Sequence, residues 1–304
     1  MKIDSLTSRS RILSATFAAL VAASLLAVGG RLRADENLFG YAYGAETLPK
    51  GKWEVYSWNT ARFDKGKGTY TAWDFKQEIE YGLTDRLQLS FYVNERFHDI
   101  GGGSVESEEG GESDVRLNRF AYEGNQLSLK YMALSPFKDP IGLAFYIEPG
   151  YSLVDKISGE KITEWELETK IIVQKNFFDD QLITTLNLTG EFEWERARPS
   201  HGEEFNGEMI AEITGGISYR IAPKWYVGVE GRYHTEFPNM DVNKQEHWAI
   251  FAGPVVHYGT ERWWATLTWL PQITGWPNDP ERSNNLHFEE HERNEIRLKV
   301  GYNF

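Results

Sequence analysis

Leu182-Ile183-Thr184-Thr185-Leu186-Asn187-Leu188-Thr189-Gly190-Glu191-Phe192-Glu193-Trp194-Glu195 interleaves two different patterns in one stretch. Leu182, Thr184, Leu186, Leu188, Phe192 and Trp194 fall on one side of an extended chain, and Thr185, Asn187, Thr189, Glu191, Glu193 and Glu195 on the other. Successive side chains of a strand point to opposite faces, so this period of two predicts a β-strand with one apolar and one wet face. The pattern recurs in Leu87, Leu89, Phe91 and Val93 against Gln88, Ser90 and Asn94. It returns in Trp165, Leu167 and Ile171 against Glu164, Glu166, Glu168 and Lys170, and in Trp225, Val227, Val229 and Tyr233 against Glu230, Arg232 and His234. The last segment sets Ile296, Leu298, Val300, Tyr302 and Phe304 against Glu295, Arg297, Lys299 and Asn303.

Alternation alone also describes a soluble β-sandwich, and the connections separate the two. Short turns are expected at Thr84–Arg86, Ser135–Pro140, Phe178–Gln181, Ala222–Lys224 and Gly259–Glu261. Longer polar links fall between them, at Phe97–Asp114, Asp155–Thr163, Ala197–Asn206, Phe237–Glu246 and Gln272–Glu290. Alternating short and long links belong to a barrel with one end in the periplasm and the other outside the cell, and the spacing predicts about twelve strands. An even count returns both termini to one end. Aromatics supply an independent sign, because membrane barrels carry Trp and Tyr girdles at both interfaces. Trp248 and Tyr258 bracket one outward face; ten residues of tilted strand between them span about 23 Å, close to the height of an apolar band. The expected fold is therefore all-β: a transmembrane antiparallel up-and-down β-barrel over residues 35–304.

The composition fits that reading. The 304 residues include 11 Trp and 15 Tyr, enough to furnish two girdles, and no Cys, which rules out a disulfide framework and a lipidated N-terminal cysteine. One apolar run, Ile12–Val28, approaches the length of a membrane helix, and it follows Lys2, Arg9 and Arg11 in the order of a secretory signal. A signal peptide over residues 1–34 is predicted, cut near Ala34 or after Gly30. The formal charge is −13, and removing a segment with Lys2, Arg9, Arg11, Arg31 and Arg33 against Asp4 makes the remainder more acidic still. So acidic a chain is not expected to bind nucleic acid or anionic headgroups through a basic surface.

The closing Lys299-Val300-Gly301-Tyr302-Asn303-Phe304 resembles the terminal β-signal of Gram-negative outer-membrane proteins. That resemblance implies an outer-membrane location, assembly by the outer-membrane insertion machinery through Phe304, and contact with outer-membrane lipids and lipopolysaccharide. The Gly51-Lys52-Trp53-Glu54 opening and the Tyr81–Leu89 hairpin are similar to those of uncharacterised barrel families, some described as aromatic-degradation-pathway transporters. The hairpin recurs in many barrels, so the likeness names no substrate.

Chemistry is sought on the inward face. Glu78, Glu80, Glu168, Lys170, Glu191, Arg232 and Arg297 are the candidate lining residues, each a fixed charge and none a catalyst. Two functions follow from them. A continuous lumen with unpaired polar groups predicts a channel or transporter for a small solute; a lumen filled by pairs of Glu with Arg or Lys predicts a structural or surface-interaction barrel. His287-Phe288-Glu289-Glu290-His291 has the H-x-x-E-H spacing of an inverted zinc-peptidase motif, but that motif needs a helix to bring both histidines to one face, and none is expected here. The segment reads as an acidic loop with at most a casual divalent-ion site. The acidic stretch with Gly101–Gly103, Glu106, Glu108, Glu109, Glu112 and Asp114 lacks the residue order of a calcium hand and reads as an outer loop. A lipase site on the outer wall would need an outward histidine beside a serine, whereas His234, His247 and His257 fall on the inward face. No catalytic, cofactor or metal residue is assigned, and no cofactor is implied.

Overall fold

The computed structural model describes residues 37–105, 116–196, 205–278 and 280–304. The expected signal peptide and most of the acidic loop after Gly103 lie outside these residues. Twelve strands follow in chain order: β1 (Trp53–Phe63), β2 (Thr69–Thr84), β3 (Leu87–Gly101), β4 (Leu117–Leu134), β5 (Gly142–Val154), β6 (Lys161–Phe177), β7 (Leu182–Arg196), β8 (Phe205–Ala222), β9 (Trp225–Pro238), β10 (His247–Gly259), β11 (Trp263–Trp276) and β12 (Asn294–Asn303). Each pairs antiparallel with its chain neighbours, and β1 pairs with β12 from Glu54 opposite Asn303 to Phe63 opposite Asn294, which closes the barrel. Closure leaves no sheet edge, the condition for a strand structure in hydrocarbon, where an unpaired N–H or C=O has no water to turn to.

The side chains follow the period of two. On β9, Trp225, Val227 and Val229 are exposed outward while Tyr226, Glu230 and Arg232 are buried inward. Trp53 against Tyr81, Trp225 against Tyr258 and Tyr258 against Trp263 make aromatic contacts near the end that carries the short turns. Trp73 against Phe75, Tyr151 against Trp165 and Tyr233 against Trp248 do the same nearer the other end. Between the two girdles the outer face shows Leu127, Leu129, Ile147, Ile171, Leu186, Leu188 and Leu267.

Two connections depart from the expected alternation of lengths. β5 ends at Val154 and β6 starts at Lys161, so the link at 155–160 is shorter than the 135–141 turn at the opposite end, and the link at 64–68 is shorter still. Near these ends polar and apolar residues mix on both faces, as Phe97 and Asp99 do on one face of β3 and His98 and Ile100 on the other, so strand and loop look alike in sequence. The turn after β6 is tight for a different reason. Phe178, Asp179 and Asp180 all have positive φ, the left-handed backbone that suits the twist of a hairpin.

The first strand begins only at Trp53, and residues 37–50 do not join the wall. They enter the lumen, where Leu38, Phe39, Tyr41, Ala42, Ala45 and Leu48 are buried. Gly216 makes the entry possible, because a Cβ there would stand 2.3 Å from the Phe39 ring.

Leu188 lies midway between the girdles, so Leu188→Arg is expected to destabilise the barrel by about 2–4 kcal/mol in urea titrations carried out in phospholipid vesicles. A change under about 0.5 kcal/mol would mean that this face does not meet lipid.

Candidate functional site: a plugged, charge-divided lumen

The lumen is closed from the end that carries the termini by the segment just described. The backbone of an irregular segment needs partners wherever it is buried, and the inward polar residues of the strands supply them. Gly40, Tyr41 and Ala42 donate their amides to the Glu230 carboxylate at 2.7, 3.0 and 3.2 Å, and Thr268 donates its hydroxyl to the same group. Three successive amides turned to one anion form a nest. Hydrogen bonds to a charged acceptor are worth roughly 1.5–3 kcal/mol each, so Glu230 is the strongest single tether of the segment. Asn187 both accepts from the Tyr43 amide and donates to its carbonyl, while Gln174 and Gln88 accept from Ala45 and Leu48. Lys299 donates to Asn37 and Phe39, and Arg297 donates to the Gly40 carbonyl with its guanidinium 3.7 Å from the centre of the Tyr41 ring.

Above this plug lies a cavity of about 350 Å³. Its wall on β5 to β8 is acidic by register. Glu164 stands opposite Glu195, Glu166 opposite Glu193 and Glu168 opposite Glu191 across β6 and β7. The ladder extends to Glu148 opposite Glu168 on one side and Glu208 opposite Glu193 on the other. Like charges directly opposite each other destabilise a sheet, and only part of this ladder is neutralised. Lys170 binds Glu168 at 2.5 Å and Lys76 binds Glu148 at 3.1 Å, whereas Glu164, Glu191 and Glu193 meet no basic partner within ion-pair distance among the described residues.

The opposite wall is paired. Arg62 bonds to Asp74 and Glu292, and Arg96 to Asp74 and Glu123. Glu123 reaches inward because the β3–β4 register slips between Asn94 and Glu95, leaving it as the extra residue of a bulge. Arg232 bridges Glu295 at 2.5 Å and Glu212 at 3.6 Å. Two outer loops fold over the mouth. Loop 155–160 accepts from Arg62 at Lys156 and from Tyr70 at Ile157. Loop 277–293 buries Leu286 and Phe288 and takes Lys65 against its Phe288 and Glu289 carbonyls at 3.0 and 2.6 Å. Burial pushes the Lys65 ammonium down to about 8.

Glu168, Lys170, Glu191, Arg232 and Arg297 line this cavity. Glu78 and Glu80 point inward but sit beside the plug, where Glu78 accepts from the Trp58 indole and Glu80 from the Tyr56 hydroxyl. The sequence reading did not foresee the plug, the glutamate ladder or the infolded loop with His287 and His291. The ladder needed the β6–β7 register, which alternation in single strands does not supply.

The family of unknown function DUF6662 matches residues 31–304. The chain belongs to that family. No curated protein sequence matches it. Among solved structures, the COG4313 outer membrane channel from Pseudomonas putida F1 is similar with a TM-score of 0.53 at 12% identity, over 86% of this chain and 98% of that one. The NanC porin aligns at 0.47 and 10% identity, over 82% and 98%, and LpxR from Salmonella typhimurium at 0.43 and 10%, over 82% and 100%. The likeness to the COG4313 channel is one of fold, the closed antiparallel β-barrel that this DUF6662 chain also forms.

Glu230→Gln would turn an amide group toward the nest in place of one anionic oxygen. Amide exchange at residues 40–42 is expected to accelerate by about 10-fold or more, read by hydrogen-exchange mass spectrometry. Unchanged exchange there would show that the segment is held by its other contacts.

Proposed function

We propose that the protein is a Gram-negative outer-membrane barrel that passes a small cationic solute, with residues 37–50 as the gate at its periplasmic end. The observation that carries this reading is the glutamate ladder on β5 to β8. A lumen that needed only filling would alternate its charges, as the wall of Arg62, Asp74, Arg96 and Glu123 does. Glu164, Glu191 and Glu193 instead face the cavity with no basic group within ion-pair distance among the described residues. Rings and ladders of one sign favour counter-ions, and about 350 Å³ accommodates a small organic cation or a hydrated metal ion. The lining residues act as fixed charges and not as catalysts. Insertion is directed by Lys299–Phe304 through the outer-membrane insertion machinery, with lipid and lipopolysaccharide around the apolar band.

A second reading has its own support. The plug is tethered to β3, β6, β7, β9, β11 and β12, and a barrel so closed serves equally as a structural or surface-interaction protein.

Planar-bilayer recordings separate the two. The intact barrel is expected to be closed for most of the time, and removal of residues 37–48 to give discrete openings that prefer cations. Adding Glu191→Gln and Glu193→Gln to that deletion is expected to lower the cation-over-anion permeability ratio about two-fold or more. A deleted barrel that inserts stably and stays silent would favour the structural reading.

A further inference from the structure

At the outer end of the lumen the chain gathers four histidines from three places. His234 comes from β9, His247 opens β10, and His287 and His291 come from loop 277–293, which folds back into the mouth. Ring centres of His234 and His291 lie 4.8 Å apart, those of His247 and His291 5.1 Å, and those of His234 and His247 5.7 Å. One ring nitrogen from each of these three lies within 4.8 Å of the other two.

Their hydrogen bonding separates ligands from support. His287 is fully used: its Nδ1 is against the Pro277 carbonyl, and its Nε2 accepts from the Glu290 amide. It stacks on His247 at 4.8 Å with the rings 14° from parallel, which holds the His247 ring in place. His247 is only 1% exposed, yet neither of its ring nitrogens has a hydrogen-bond partner, and Nε2 of the buried His291 has none either. Buried polar groups are normally satisfied, so nitrogens left bare and turned to one another call for a ligand that accepts lone pairs. A proton supplies one bond at most. A metal ion supplies three.

We propose that His234, His247 and His291 form a site for a divalent transition-metal ion of the zinc class, with Glu236 as the fourth donor. The Glu236 carboxylate lies 3.7 Å from His247 Nε2. Glu212 lies 3.6 Å from His234 Nδ1 and is itself held by Arg232, the carboxylate–histidine arrangement that orients a ligating imidazole. Three imidazoles and one carboxylate suit zinc, nickel, cobalt or copper and not calcium or magnesium, which prefer oxygen. Zinc–nitrogen bonds of about 2.0–2.1 Å require the nitrogens to close to roughly 3.4 Å, within reach of small rotations of the three side chains. The site pins loop 277–293 to β9 and β10, and it stands whether or not the lumen conducts.

The test uses the intact, tag-free barrel in detergent micelles, freed of metal by chelator. Zinc titrated against a chromophoric competitor is expected to bind at one equivalent per barrel, and cobalt to give the visible absorption of a tetrahedral nitrogen-rich site. His247→Ala and His291→Ala should each weaken zinc binding by about 100-fold or more, Glu212→Gln by about 10-fold, and His287→Ala should keep the one-to-one stoichiometry. Heat-modifiable migration on gels checks that each variant is still a folded barrel. The proposal fails if the folded wild type binds zinc no better than millimolar, or if a folded His247→Ala/His291→Ala double variant binds as tightly as wild type, which would assign the zinc to the glutamate ladder.

Discussion

The β1–β12 pairing governs everything else. Ten rungs, from Glu54 opposite Asn303 to Phe63 opposite Asn294, join the two ends of the chain. Without them two edges would lie open to hydrocarbon, each with a row of unpaired amides and carbonyls that no lipid tail can satisfy. With them the wall is continuous and every second side chain is committed to an enclosed interior. The problem of the fold then passes from the backbone to the lumen, which must accommodate more charge than a narrow barrel can hydrate.

The interior resolves this in three layers. Near the termini, strand amides and carboxylates are taken up by the backbone of residues 37–50, so that Glu230, Asn187, Gln174 and Gln88 bond to chain and not to water. Above the plug one wall pairs its charges through Arg62, Asp74, Arg96 and Glu123. The facing wall does not, and its glutamates stand in register across four strands. At the top, loops 155–160 and 277–293 bend inward and bond to side chains of the wall.

How much of this could be read from the chain depends on periodicity. The barrel and its twelve strands were legible because a bilayer enforces strict alternation over each crossing, as in Leu182–Glu195. Outside the girdles that constraint lapses, and there the expected ends of β3 and the start of β6 were misplaced. Residues 37–50 have no period at all: Leu38, Phe39, Tyr41 and Leu48 serve a path set by partners from β3 to β12, and only their apolar character, stranded before the first alternating strand, hinted at burial. The histidine cluster was half visible. His234 and His247 could be placed inward on their strands, but H-x-x-E-H as a peptidase motif needs a helix that residues 287–291 were not expected to form, and nothing local to them reveals that their loop returns to the lumen.

The plug also orders events in time. Its segment is the first part of the described chain, yet the groups that receive it are spread from Gln88 on β3 to Lys299 on β12, almost the whole length of the sequence. Its berth is complete only when the last strand is in place. A half-built sheet would offer Gln88 without Glu230, or Asn187 without Lys299, and would hold it by only part of its bonds. The segment that comes first in the chain therefore gains its last partners only as the ring of strands closes.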